Sequence, residues 1–209
     1  MGKVVVCISR TIAAGGEPIG KAVAEQLGYR YVDEEVITLA SEKAGLDPKL
    51  VADAEHRASI LSRLISAITV PPALEAAYYP PRAEVLVPPT QDDLGAFIRE
   101  AIGEIAEQGN TVIVAHAASL ALGARPDVLR VLVTASVATR VHRLRHSANL
   151  LSESDAATAV QQSDKERDYY LRRFYHVREE LPTHYDLVVN TDVLSIQQAV
   201  SAILAAVRA

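Results

Sequence analysis

The sequence predicts an α/β fold in which a parallel sheet lies between two layers of helices. Short, β-branched apolar runs alternate with longer segments of helical periodicity, and this alternation is typical of parallel strands with helical connections. The first run, Val4–Ile8, is apolar throughout rather than at every second residue, as expected for a strand that is covered on both faces. A chain of 209 residues is long enough for one domain with a buried core. We therefore expect a single domain.

The first part of the chain predicts two strand–helix units. Val4–Ile8 is the first buried strand. The helix that follows has regularly spaced apolar residues, with Pro18 in its first turn and Gly28 at its end. Tyr29–Asp33 is a second short strand, and Glu34–Ala44 is a helix that stops before a glycine.

The second part continues the alternation and brings the number of predicted strands to five. Its predicted elements are the helix Leu94–Gln108, the strands Asn110–Ala117 and Val128–Ser136, the helix Val137–His146, the charged helical segment Glu153–Glu180, the strand Tyr185–Thr191 and the helix Leu194–Val207.

Residues 46–93 stand outside this alternation. Asp47–Val70 has helical periodicity, but three proline pairs follow it, and prolines at this density favour extended, irregular backbone. We expect a variable excursion here. Because Tyr78 and Tyr79 lie among the prolines, the excursion is also our candidate for a homodimer surface.

The composition argues against several classes of protein. The net charge is −5, from 21 basic and 26 acidic residues, which disfavours a nucleic-acid binder because that function needs a basic surface. Cys7 is the sole cysteine, so we expect neither a disulfide framework nor a cysteine-based metal cluster. The apolar run at the start is too short for a signal segment or a membrane span. We expect a cytoplasmic protein without a membrane anchor.

Two histidines have a spacing that can bind a metal ion. His142 and His146 lie four residues apart on a predicted helix. The neighbouring Arg143 and Arg145 make the position unfavourable for a cation. We therefore predict no metal held by protein side chains.

The segment Gly15–Ala22 reads GGEPIGKA and matches the G-x-x-x-x-G-K part of the phosphate-loop pattern. A phosphate loop must leave its strand directly, because its backbone N–H groups bind phosphate in front of the helix N-terminus. Here Ser9–Ala14 separate the predicted strand from the first glycine, and Lys21 falls inside the helix. We therefore predict that this match is out of register.

A second register uses Arg10–Glu17, which reads RTIAAGGE. Gly16 then stands where the pattern has its lysine, and Glu17 where it has the magnesium-binding Ser or Thr. In this register Arg10 supplies a cation, and the phosphate meets the backbone amides of Ala13, Ala14, Gly15 and Gly16. On the residues alone, the two glycines are equally compatible with a tight strand-to-helix turn.

Longer stretches resemble a known family. The front, ISRTIAAGGEPIGKAVAEQLGYRYVDEEVI, resembles the cytidylate kinase-like branch, which reads about I-S-R-x-x-G-S-G-G-x-x-I, then a helix, L-G and Y-x-D-x-x-I, without a loop lysine. VLRVLVTASVATRVHRLRH, DKER and YDLVVNTDVLSIQQAVSAIL resemble the second half of bacterial cytidylate kinases. Those enzymes carry V-F-L-T-A-S, R-x-x-R, a lid D-x-x-R and a final strand followed by an L-S-I-E-E helix.

The resemblance covers approximately residues 3–45 and 98–207. It implies a P-loop NTPase-type three-layer α/β/α domain with a five-stranded parallel sheet and a helical lid over residues 148–182. It also implies that Ala13–Gly16 face the donor phosphates and that Arg10 matches the arginine after the first strand.

The remaining site residues follow from the same resemblance. Arg140 and Arg143 match R-x-x-R, and the family's lid arginines close over the exchanged phosphates, to which a guanidinium fork binds bidentately. The lid D-x-x-R is matched by Asp164 and Arg167, and the acceptor side by Asp33 and His116. His116 stands where the family has an arginine. On the residues alone, the arginines are also compatible with solvated helix charges, and Asp164 with Arg167 forms an i,i+3 pair.

The implied function is transfer of the γ-phosphoryl group of ATP, with Mg²⁺, to a nucleoside monophosphate or similar small acceptor, cytidylate by resemblance. The alternative is a catalytically inactive nucleotide-binding or regulatory interaction protein. It is motivated by Ala13 and Ala14, which replace the family's loop glycine and serine, and by Ala115–Ala117, which replaces G-R-G or G-R-D.

Overall fold

The first strand of the chain lies at the centre of the sheet. In the computed structural model, which describes residues 5–33, 35–45, 91–115, 117–147 and 152–208, β1 comprises Val5–Arg10. The other strands are β2 (Arg30–Val32), β3 (Thr111–Val114), β4 (Val128–Thr134) and β5 (Leu187–Asn190). They form one sheet in the order β2-β3-β1-β4-β5, and every described pair is parallel. This arrangement confirms the predicted α/β fold with a five-stranded parallel sheet.

Helices connect the strands and follow the last one. The described helices are α1 (Gly16–Leu27), α2 (Glu35–Ala44), α3 (Gln91–Glu107), α4 (Ala118–Leu122), α5 (Val137–Ser147), α6 (Glu153–Tyr175) and α7 (Ile196–Arg208), with a short 3₁₀ turn at Pro182–His184. Helix α4 was not predicted, because five residues are too few to show helical periodicity.

The charged helix α6 is shorter than predicted. The prediction extended it to Glu180, whereas the helix ends at Tyr175. His176 adopts a left-handed conformation with φ 56°, and the Val177 N–H donates to the Leu171 carbonyl, which closes the helix. The sequence did not predict this helix end, because the left-handed position after a helix is usually occupied by glycine and not by histidine.

The excursion falls largely outside the described residues. Helix α3 begins at Gln91, three residues before the predicted start at Leu94, and so takes in the end of residues 46–93. The predicted helix Asp47–Val70, the proline pairs and the tyrosines at 78 and 79 all lie outside the described ranges. The homodimer surface stays a prediction.

Side chains of β1 alternate between two hydrophobic clusters, one on each face of the sheet. Val5 and Cys7 pack with side chains of α2 and α3, whereas Val6 and Ile8 pack with side chains of α1 and α7. The sheet is therefore the middle of three layers. Burial raises the pKa of the Cys7 thiol to about 12, so this cysteine is a neutral core residue.

The order of the strands positions the functional site. The chain leaves β1 at Arg10, and the neighbouring strands β3 and β4 lie on opposite sides of it. In open parallel sheets, ligands bind outside the carboxyl ends of the strands at such a switch point. The loop between β1 and α1 therefore lies where a ligand site is expected.

Candidate functional site

The segment Arg10–Gly16 passes directly from the central strand to a helix. β1 ends at Arg10, α1 begins at Gly16, and Gly15 is the N-cap with φ 89° and no side-chain cap. Gly20 and Lys21 lie inside α1, so the G-x-x-x-x-G-K match is out of register as predicted. The N-terminus of α1, with its uncapped N–H groups and positive end of the helix dipole, faces the position that an anion would take.

Several amides of this loop are available to a ligand. Within the described part of the chain, the backbone N–H groups of Ala13, Gly15 and Gly16 donate to no acceptor. The amide of Ala14 is used internally, because it donates to the Thr11 carbonyl at 3.2 Å. The structure therefore presents three of the four predicted phosphate-binding amides and ties up the fourth.

The two alanines of the loop direct their methyl groups into hydrophobic clusters. Ala14 is buried in the cluster between the sheet, α1 and α7. Ala13 packs beside Ile12 against a smaller cluster formed by Leu144 of α5 and alanines of α6. Both methyl groups therefore contribute to packing, and Ala13 adopts φ 58°, a left-handed conformation in which glycine is favoured.

We expect Ala13→Gly to raise the free energy of unfolding by about 0.5–1 kcal/mol, because glycine relieves the left-handed strain of an L-residue. Urea denaturation of both proteins measures the change. Ala14→Gly is the matched control and should be destabilising, because its methyl group is buried and its φ is not positive. An Ala13→Gly variant no more stable than the parent would contradict the expectation.

Thr11 is a loop residue that the sequence analysis did not identify. Its hydroxyl oxygen is buried and has no hydrogen-bond partner among the described residues. Leaving such a group unpaired costs about 1–3 kcal/mol. Its position next to Arg10 makes it a candidate ligand contact, but threonine at a variable position of the motif gave no signal in the sequence.

Arg10 and Glu17 form an ion pair across the loop. The Arg10 Nε donates to Glu17 Oε1 at 2.6 Å, and the Arg10 side chain is only 12% exposed. The two terminal nitrogens of Arg10 have no partner among the described residues. A partly buried guanidinium with two unused donors is suited to bind an anion bidentately.

The first arginine of the R-x-x-R motif pairs with the lid aspartate. Arg140 is buried, and its two terminal nitrogens donate to the two Asp164 carboxylate oxygens at 2.8 Å each. Its Nε donates to the Ala135 carbonyl at 3.1 Å. The pair therefore joins α5 to α6.

The second arginine of the motif contacts the backbone of the phosphate loop. Arg143 Nη1 donates to Thr191 Oγ1 at 2.9 Å and lies 3.4 Å from the Ala13 carbonyl oxygen and 3.5 Å from that of Ala14. Thr191 Oγ1 in turn donates to the Ala14 carbonyl at 2.8 Å. These donors hold the Ala14 carbonyl on the α5 side, and since C=O and N–H of a peptide point in opposite directions, the Gly15 amide faces the other way.

The lid arginine does not pair with Asp164. Arg167 is buried and forms a two-pronged ion pair with Glu180, with its Nε 2.8 Å from Glu180 Oε2. Its Nη1 donates to the Arg10 carbonyl at 3.3 Å, and Tyr185 donates its hydroxyl to the same Glu180 carboxylate. Burial opposes ionisation of Glu180, but hydrogen bonds from Arg167 and its charge prevail and lower the pKa of Glu180.

The structure thus brings the loop, R-x-x-R and D-x-x-R together. Sequence reasoning missed Glu180, Tyr185 and Thr191, because their importance depends on contacts with residues distant in the chain. The catalytic role of Arg140, Arg143, Asp164 and Arg167 stays a prediction.

Asp33, which we predict to lie on the acceptor side, follows the end of β2. The Tyr31 hydroxyl donates to Asp33 Oδ2 at 3.0 Å. Burial raises the pKa of Tyr31, and the charge and hydrogen bond of Asp33 raise it further. His116 lies outside the described residues, between the buried Ala115 and Ala117.

The described residues contain no group of three or more His, Cys, Asp or Glu side chains able to hold a metal ion. His146 Nδ1 lies 2.8 Å from the His142 carbonyl oxygen. Within the same ranges, no helix combines the length and apolar character that crossing a bilayer requires.

Solved structures share this fold at low sequence identity. An uncharacterized protein from Eubacterium ventriosum is similar with a TM-score of 0.67 and 15% identity, covering 99% of both chains. A shikimate kinase from Bacteroides thetaiotaomicron is similar with a TM-score of 0.56 and 14% identity, covering 100% of both chains. A gluconokinase from Sinorhizobium meliloti is similar with a TM-score of 0.55 and 13% identity, covering 99% of this chain and 92% of the gluconokinase chain. At these identities the likeness shows the fold alone, which is that of P-loop kinases.

No curated protein sequence matches this chain. A model of the cytidylate kinase-like family, in contrast, matches residues 5–193, which is most of the chain. Together with the P-loop kinase fold, this match supports phosphotransferase chemistry and nucleotide binding. The chain belongs to the cytidylate kinase-like family.

Proposed function

We propose that this protein binds ATP with Mg²⁺ and transfers the γ-phosphoryl group to a nucleoside monophosphate or similar small acceptor. The carrying observation is the loop after the central strand, where the amides of Ala13, Gly15 and Gly16 have no acceptor among the described residues and lie in front of the uncapped helix α1. Such amides and the helix dipole stabilise phosphate oxygens without rearrangement, which is what phosphoryl transfer requires of a protein.

Mg²⁺ is proposed to arrive with the nucleotide. Mg²⁺ is usually bound through one or two carboxylates together with substrate phosphates, and no group of three ligating side chains is present among the described residues. The described residues fit delivery of the ion with the nucleotide, because the loop amides would hold the phosphates while the Glu17 carboxylate is paired with Arg10. Bound in this way, the ion would neutralise charge on the transferring phosphoryl oxygens.

The acceptor is proposed to lie beside Asp33 and Tyr31, at the carboxyl end of β2. Cytidylate is the first candidate, because the chain belongs to the cytidylate kinase-like family. Shikimate and gluconate are further candidates, because kinases named for them share the fold.

A coupled assay with ATP and Mg²⁺ against cytidylate, the other nucleoside monophosphates, shikimate and gluconate tests the proposal. We expect phosphorylation of cytidylate well above the rate without acceptor. Calorimetry with ATP on the same preparation reports binding independently of turnover. A preparation that binds ATP in calorimetry but phosphorylates none of these acceptors contradicts the proposed transfer.

One observation favours a second candidate, a nucleotide-binding protein without catalytic activity. The described contacts engage Arg140 with Asp164, Arg167 with Glu180, and Arg143 with Thr191. Arginines whose donors are engaged in this way contribute less to phosphate binding unless ligand displaces their partners. ATP binding in calorimetry without turnover of any acceptor supports this candidate, whereas absence of binding contradicts both.

Lys21 provides a test of the loop register. It lies on α1 with its Nζ 5.5 Å from the centre of the Tyr31 ring, an exposed contact of small energy. We expect Lys21→Ala to change ATP affinity less than about twofold, because a shift within ~0.5 kcal/mol is typical of a surface substitution. A tenfold loss of ATP affinity in calorimetry would instead support the G-x-x-x-x-G-K register, in which Lys21 binds phosphate.

A further inference from the structure

The side chain of Arg10 fills the space that a side chain at position 16 would occupy. A Cβ added to Gly16 would lie 2.6 Å from Arg10 Cβ, 2.9 Å from its Cγ and 3.1 Å from its Cδ. Real Cβ atoms essentially never approach another atom within 3.0 Å, as the first two of these distances would require, so a lysine at 16 and the arginine at 10 cannot share this arrangement.

The backbone does not require glycine at position 16. Gly15 has φ 89°, in the left-handed region that favours glycine, whereas Gly16 has no positive φ and is the first residue of α1. The helical conformation accepts any residue with a side chain. Arg10 is therefore the structural reason that position 16 is glycine.

Position 16 is also the place of the lysine in the phosphate-loop pattern. In G-x-x-x-x-G-K-[ST] the lysine follows the second glycine at the start of the helix, where it reaches the β- and γ-phosphates. Here Gly15 is the N-cap and Gly16 the next residue. The stem of Arg10 occupies the position from which that lysine would extend.

Arg10 is the arginine of the site that remains available for an anion. Arg140, Arg143 and Arg167 have terminal nitrogens engaged by protein oxygens. The terminal nitrogens of Arg10 have no partner within the described ranges, and Glu17 holds only its Nε. The ion pair with Glu17 keeps the guanidinium beside the first turn of α1.

We propose that Arg10 replaces the phosphate-loop lysine, supplying its cation from the end of β1, and that Gly16 makes room for it. This inference rests on the proposed function, because it concerns the same nucleotide phosphates. A guanidinium fork contacts two phosphate oxygens where an ammonium acts as a point charge, so the replacement retains the charge and adds a second hydrogen bond.

The test relocates the cation. Arg10→Met keeps the stem over Gly16 and removes the charge, so we expect affinity for ATP and for inorganic tripolyphosphate, measured by calorimetry with Mg²⁺, to fall about 10- to 100-fold. Gly16→Lys alone should bind no more tightly than the parent and melt at a lower temperature, because Arg10 blocks its side chain. Arg10→Gly with Gly16→Lys removes the Cβ and the stem of Arg10 and restores the lysine pattern, and we expect it to recover affinity to within about threefold of the parent.

Thermal melting of each variant confirms that the compared proteins are folded, and Lys21→Ala is the control for removing a nearby cation, one that lies on α1. Unchanged affinity of Arg10→Met overturns the inference while leaving the proposed nucleotide binding intact. A folded double variant that stays as weak as Arg10→Met also overturns it. A parent protein that binds neither probe overturns the proposed function itself.

Discussion

Replacing Glu180 by alanine is expected to lower the free energy of unfolding by about 3–5 kcal/mol, because it leaves a buried guanidinium without its counter-charge. The Arg167 side chain is only 4% exposed, and Glu180 accepts from it through both carboxylate oxygens. Tyr185 also loses the acceptor of its hydroxyl. Urea denaturation followed by circular dichroism measures the loss.

Two variants separate this effect from a general loss of negative charge. Glu179→Ala removes an exposed neighbour and should change stability by less than about 0.5 kcal/mol. Adding Arg167→Met to Glu180→Ala removes the unpaired charge and should recover much of the loss, as hydrophobic replacement of buried pairs often does. Equal effects of Glu179→Ala and Glu180→Ala would contradict the importance of the pair.

The same pair predicts a dependence of stability on pH. The pKa of Glu180 in the folded protein lies below its ordinary value of 4.5. Its contribution is therefore complete above about that pH and is lost as the pH falls through the folded pKa. We expect the parent to lose more stability than Glu180→Ala across this acidic window.

Gly20→Val is expected to lower the free energy of unfolding by about 2–3 kcal/mol through overpacking between α1 and the sheet. A Cβ at this position would lie 2.5 Å from Val114 Cγ2, 3.3 Å from Tyr31 Cε2 and 3.5 Å from Ile8 Cδ1. Val114 and Ile8 are fully buried strand residues with little room to move. The second glycine of G-x-x-x-x-G-K is therefore a packing residue and not part of a phosphate loop.

Gly103→Val is the matched control, because Gly103 also lies within a helix and an added Cβ would meet nothing within 4 Å. We expect it to leave stability unchanged or slightly higher, since valine has a better helix propensity than glycine. Equal changes in the free energy of unfolding of the two variants, measured by urea denaturation, would show that packing of α1 against the sheet does not require glycine at position 20.

The elements of the fold follow from local patterns. The short apolar runs predicted all five described strands, with boundaries that differ from the observed ones by at most three residues. Prediction failed where local signals are weak. Helix α4 is too short for periodicity, and α6 ends at Tyr175 because His176, a residue type that is uncommon there, occupies the left-handed cap position.

For the site, the sequence alone determined the phosphate-loop register, since the distance from the first strand to Lys21 excludes the apparent motif. Resemblance to the family also gave Arg10 and both arginines of R-x-x-R as candidate site residues, because each lies at a defined position in its motif. Only the tertiary structure decided their partners: Arg140 pairs with Asp164 across 24 residues and Arg143 reaches Ala13 across 130. Helices and strands arise from interactions between near neighbours, whereas charge pairing and the exclusion of a side chain at Gly16 depend on which distant segments the fold brings into contact.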